Sequence, residues 1–172
     1  MIKILGIVIM VCSSIGIGRS YSRGLTKNVE QLKKMKKMIY ILKSEIKYSK
    51  APLPEAFENL SERVEEPLRS FLSSVSAKLN QLSGRTFREI WEEEVEDKLQ
   101  DSYLTKEDKE QLKRMGESMG YLDSEMQDNT LELYLEQLEI SIEESRQTAA
   151  VKSKVYNCLG VTIGLFLAII LI

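Results

Sequence analysis

Residues 25–46 read LTKNVEQLKKMKKMIYILKSEI, and the spacing of their apolar side chains decides the fold class. Leu25, Val29, Leu32, Met35, Ile39, Leu42 and Ile46 recur at steps of three and four, which lays one apolar stripe along an α-helix. The other faces are basic. Lys50-Ala-Pro-Leu-Pro54 ends this helix, because a proline disfavours helical geometry in the residue before it.

The same periodicity continues outward. Pro52 and Pro54 mark the start of a short helix, with Pro54 in its first turn and Ala56, Phe57, Leu60 and Val64 on its apolar side. Pro67 opens another helix bearing Leu68, Phe71, Leu72, Val75, Leu79 and Leu82. Gly84 breaks the chain, and Thr86-Phe-Arg-Glu89 has capping-box spacing for a helix with Phe87, Ile90, Trp91, Val95 and Leu99. Trp91 is expected in the core. Thr105 with Asp108 starts a helix whose buried side is Leu112, Met115 and Met119, and Gly120 is expected to end it in a left-handed cap. Asp123 is expected to cap the last helix, with Met126, Thr130, Leu131, Tyr134, Leu135, Leu138 and Ile142 facing inward. No Pro or Gly follows until Gly160, so that helix is predicted to run on to the end, a rod of roughly 75 Å. No strand-type alternation lasts beyond five residues. The prediction is all-α, a compact antiparallel bundle of about six helices.

Both ends are apolar. Ile4 to Gly18 is an uncharged run of fifteen residues between Lys3 and Arg19, and Val155 to Ile172 is a run of eighteen. The first covers about 22 Å as a helix, against a hydrocarbon core of roughly 30 Å, and flanking residues with snorkelling cations lengthen it. Two transmembrane helices are expected, at 1–24 and 151–172, with the domain at 25–150 between them. The competing reading of the first run is a cleavable signal peptide, for which Ser14-Ile15-Gly16 is a weak cleavage site. Arg19 to Lys50 holds ten basic and two acidic residues, and Lys152 and Lys154 mark the same side at the second run. By the positive-inside bias this places the middle in the cytoplasm. The basic helix suits lipid headgroups better than nucleic acid. Cys12 and Cys158 lie inside the apolar runs, where they are read as small packing residues.

The 172 residues contain no His, so the commonest general base and zinc ligand is missing. No phosphate-binding glycine loop, HExxH, CxxC or EF-hand spacing occurs. No catalytic residue, cofactor, metal or small-molecule substrate is predicted. Ala51 to Ala150 is strongly acidic, with 24 acids against eleven cations. Its densest run is Glu92, Glu93 and Glu94, followed by Glu107, Asp108 and Glu110. An acidic face built from Glu92–Asp97 and Glu107–Glu110 is expected to meet a basic partner. Reversing Glu92, Glu93 and Glu94 is expected to weaken that contact and leave the fold intact.

Three stretches together resemble a known family. They are LKSEIKYSKAPLPEAFENL (42–60), GRTFREIW (84–91) and MGESMGYL (115–122). Their order resembles the cytoplasmic domain of type II secretion and type IV pilus F-type inner-membrane proteins. A single such domain between two spans, opening MIKILG and closing KSKxYxxLGVxxGL, is similar to the stage III sporulation protein AB family of endospore-forming bacteria. The resemblance implies a part in the mother-cell-to-forespore channel complex, in the mother-cell (outer forespore) membrane. It also implies a secretion-type ATPase and other membrane components as partners. Gly116, Glu117 and Gly120 match the family's Gly-Glu-x-x-Gly motif, assigned to protein interaction; Pro52, Pro54, Gly84 and Glu89 match its structural positions. The alternative is a membrane-anchored coiled-coil protein organising a septum without a motor partner.

Overall fold

The computed structural model describes residues 2–49, 51–81, 84–120 and 124–171. Among them all regular structure is helical: α1 (Ile2–Ser44) with a π-helical turn at Glu45–Ser49, α2 (Leu53–Ser61), α3 (Leu68–Asn80), α4 (Phe87–Lys98), α5 (Lys106–Met119) and α6 (Ser124–Leu171). The chain divides into two compact units, Glu30–Ile142 and a second made of Met1–Val29 with Glu143–Ile172.

In the Glu30–Ile142 unit the predicted stripes converge on one core. Leu32, Met35, Ile39, Leu42, Phe57, Leu60, Phe71, Leu72, Trp91, Val95, Leu112, Leu131 and Leu138 are almost wholly buried. Each large apolar side chain so buried contributes about 1.5–3 kcal/mol. Helices α1 and α6 run antiparallel here. Lys36 pairs with Glu139, and Lys43 lies 3.0 Å from Glu132. Helices α2 and α3 form a hairpin in which the Ser76 hydroxyl donates to the Pro54 carbonyl at 2.8 Å.

Pro52 is the N-cap of α2, and Pro54 sits in its first turn as expected. Both capping boxes form: the Thr86 and Thr105 hydroxyls accept from the amides of Glu89 and Asp108, whose carboxylates accept in return. Gly84 takes φ +75°, the left-handed conformation that suits glycine and lets the chain turn into α4.

Three expectations need correction. Gly120 ends α5 in right-handed geometry, φ −75° and ψ −18°, so the left-handed cap does not form. Met126 is 53% exposed, because on a helix it points away from Leu131 and Leu138. Cys158 is exposed rather than packed. The expectations for Leu82 and the Asp123 cap lie outside the described residues, as does the side chain of Cys12.

Among the described residues no helix is long and apolar enough to cross a membrane. Most side chains of Ile4–Gly18, and many of Val155–Ile172, lie outside the described residues. In the unit these segments belong to, the Tyr21 and Tyr156 rings meet at a tilt with centroids 5.4 Å apart, and the hydroxyls of Ser22 and Ser153 meet.

Candidate functional site

The Gly-Glu-x-x-Gly motif lies on α5 where it packs against α4. A Cβ at Gly116 would stand 2.1 Å from Trp91 Cδ1, and one at Gly120 would stand 3.2 Å from Phe87 Cβ. The two glycines therefore let α5 lie flush on an aromatic ridge. Trp91 is 1% exposed, donates its indole N–H to the Leu112 carbonyl at 2.9 Å, and packs edge-on against Phe71 at 4.8 Å. Glu117, between the glycines, pairs with Arg88 of α4 at 2.8 Å. The motif locks α4 to α5.

Three adjacent glutamates of α4 have three different surroundings. Glu92 is half-buried and meets Arg88 at 2.7 Å. Glu93 is held by Lys78, 2.7 Å away, and by Arg85, and these two cations pull its carboxyl down to about 2, Lys78 contributing most. Glu94 is 0% exposed, with the Lys78 ammonium within ion-pair distance though not aligned as a hydrogen bond. Lys78 is raised above its ordinary value by Glu93 first and Glu94 second.

The expected acidic face is thus corrected. Successive helical residues are about 100° apart, so Glu92 and Glu94 stand on nearly opposite sides and share no surface. Asp108 also belongs to the interior: it is 5% exposed and committed to its capping box. Glu110 and Glu96 are both met by Lys113, which lowers the Glu110 carboxyl. Glu107 is exposed.

A coherent acidic surface does exist, on α2 and its C-cap residue Glu62. Glu55, Glu58 and Glu62, spaced three and four apart, are all exposed on the side opposite Ala56, Phe57 and Leu60. None of them forms an ion pair among the described residues, while their neighbours Arg63 and Glu65 pair elsewhere, with Glu45 and Lys34. The signal was present in the sequence as helical spacing of acids, and a search for adjacent acids passes over it.

Among the described residues no group of His, Cys, Asp or Glu gathers to hold a metal ion. An open surface groove of about 360 Å³ lies between α1 and α6 among these residues.

Known proteins agree with this architecture. A family model described as stage III sporulation protein AB matches residues 3–172. The chain is 28% identical over 171 residues to stage III sporulation protein AB of Bacillus subtilis (strain 168), covering 99% of each chain. A solved structure of stage III sporulation protein AB superposes with a TM-score of 0.66 at 25% identity, over 72% of this chain and 97% of the other.

Proposed function

The chain belongs to the stage III sporulation protein AB family, and from that premise we propose that it is a non-enzymatic membrane scaffold of the sporulation channel complex. Two spans at its apolar ends anchor it, and its central helical unit faces the cytoplasm and docks a secretion-type ATPase. Membrane anchoring is supported by Arg19, Arg23, Lys152 and Lys154, all exposed beside the Tyr21–Tyr156 pair. Cations and tyrosines at this position are typical of a cytoplasmic headgroup layer.

Docking is carried by one observation: the exposed, cation-free stripe of Glu55, Glu58 and Glu62 on α2. A basic surface on the partner would find there an array of carboxylates on a helix whose buried side is fixed by Phe57 and Leu60. Such complementarity sets encounter rate and register. The test is a titration of the detergent-solubilised chain against the purified ATPase of the same system. Glu58→Lys with Glu62→Lys is expected to weaken binding by about tenfold or more, whereas Glu92→Lys, already answered by Arg88, changes it little. Equal affinity for wild type and the α2 variant would remove the stripe from the docking account.

A further inference from the structure

Within the Glu30–Ile142 unit, α6 has a second apolar stripe that the core does not use. Leu133 is 62% exposed and Ile140 is 60% exposed. Seven residues apart, they share one face, turned away from the core-facing Leu131, Leu135 and Leu138. Glu136 lies between them, exposed and without an ion pair among the described residues.

A surface of opposite character lies on α1. The groove of about 360 Å³ is lined there by Lys33, Lys37, Tyr40 and Ile41. Tyr40 is 53% exposed, with the Lys36 ammonium 5.8 Å above its ring. Lys36 is answered by Glu139, but Lys33 and Lys37 form no ion pair among the described residues. One face is apolar with a carboxylate outside any ion pair; on the other, Lys37 acts on Glu65 only at a distance and Lys33 lies outside any ion pair among the described residues.

The register of the two helices matches these faces in height. The pairs Lys36–Glu139 and Lys43–Glu132 step seven residues in opposite directions, so Glu136 is level with position 39 of α1, between Lys37 and Tyr40. Copies anchored in one membrane with the same orientation stand at one height. The α6 face of one copy is then level with the α1 groove of its neighbour. A symmetrical α6-to-α6 contact would instead set Glu136 against Glu136, which like-charge repulsion disfavours.

We propose that the chain self-associates side by side, with Leu133, Glu136 and Ile140 of one copy seated on Lys37, Tyr40 and Ile41 of the next. The contact joins two different surfaces, so each copy keeps one of each free to continue the array, which closes into a ring where the rotation allows. The proposal rests on the membrane-anchored reading, because common anchoring supplies the common height.

The test uses full-length chains lacking Cys12 and Cys158 in isolated membranes. One carries Lys33→Cys, the other Ile140→Cys, with different tags, and they are co-expressed and oxidised with copper phenanthroline. A disulfide-linked heterodimer is expected, with little product from either variant alone. Adding Glu136→Lys to both chains is expected to reduce the product at least fivefold, and further adding Lys37→Glu to restore it. Absence of the heterodimer, product insensitive to Glu136→Lys, or capture of Ile140→Cys by a different polypeptide in its place would each overturn the proposal. Carbonate extraction of the same membranes reports anchoring separately. Release of the chain would end the membrane reading, while cross-linking would still decide the pairing.

Discussion

Helices α2 and α4 each present a triplet of glutamates, the first completed by the C-cap residue Glu62 and the second flanked by Glu89 and Glu96, and the two triplets are used in opposite ways. On α2, Glu55, Glu58 and Glu62 follow the helical repeat and stand together on one exposed face without cations. On α4, Glu92, Glu93 and Glu94 are adjacent, so the 100° step spreads them from the surface to the core, and each meets a basic residue of the same unit. Adjacency concentrates charge in the sequence; periodicity concentrates it in space. The denser run serves the fold, and the sparser one stays exposed without an ion pair among the described residues.

The largest effect that separates the two helices is a charge reversal. Glu94→Lys places a second ammonium against Lys78 at a site that is 0% exposed. Breaking a buried pair in this way costs about 3–5 kcal/mol, so urea unfolding should show a fold lost or nearly lost. Glu58→Lys should move stability by no more than about 0.5 kcal/mol, as for other exposed sites. Equal stability of the two variants would erase the distinction.

Next in size is the seat of α4. Gly116→Ala drives a Cβ into the Trp91 ring, which is walled in by Phe57, Phe71 and Phe87 and cannot move aside cheaply. Overpacking of this kind costs about 1–3 kcal/mol, read as a shift in the urea midpoint. The same change at Gly120, where the nearest contact is 3.2 Å, should cost clearly less. Thr86→Ala removes the side chain that accepts from the Glu89 amide, for a loss of about 1 kcal/mol.

The smallest effect is one of pH. The Glu93 carboxyl is depressed from an ordinary 4.5 to about 2 by Lys78 and then Arg85. A lowered carboxyl stabilises the folded state fully above 4.5 and loses that contribution as pH falls toward 2. Glu93→Gln should therefore narrow the stability gap between pH 6 and pH 2.5. The carboxylate is half exposed, so solvent screens the pair and the change is modest.

The fold was legible because its cause is periodic. Apolar steps of three and four named nearly the whole core, and Thr86 with Glu89 and Thr105 with Asp108 announced two helix starts by chemistry that acts within four residues. Met126 went astray because an apolar residue near a helix start matches the stripe by spacing only to within a turn, and its angle places it outside. The surface was less legible. Whether a carboxylate is free depends on cations distant in sequence, as Lys78 is from Glu93 and Glu94, and only packing brings them together. The Gly116 and Gly120 motif was visible as unusual. That it receives Trp91 and Phe87 required the α4–α5 crossing.

The central claim is a helical unit held at the cytoplasmic face by two spans, and its side of the membrane is the most direct test. In a chain with Cys12 and Cys158 replaced by Ser, Asp101→Cys puts one thiol on the exposed turn between α4 and α5. Intact protoplasts are then treated with a membrane-impermeant maleimide. The account predicts protection in intact cells and full labelling after lysis. Labelling of intact cells would put the unit outside, beyond reach of any cytoplasmic ATPase, and would contradict the account.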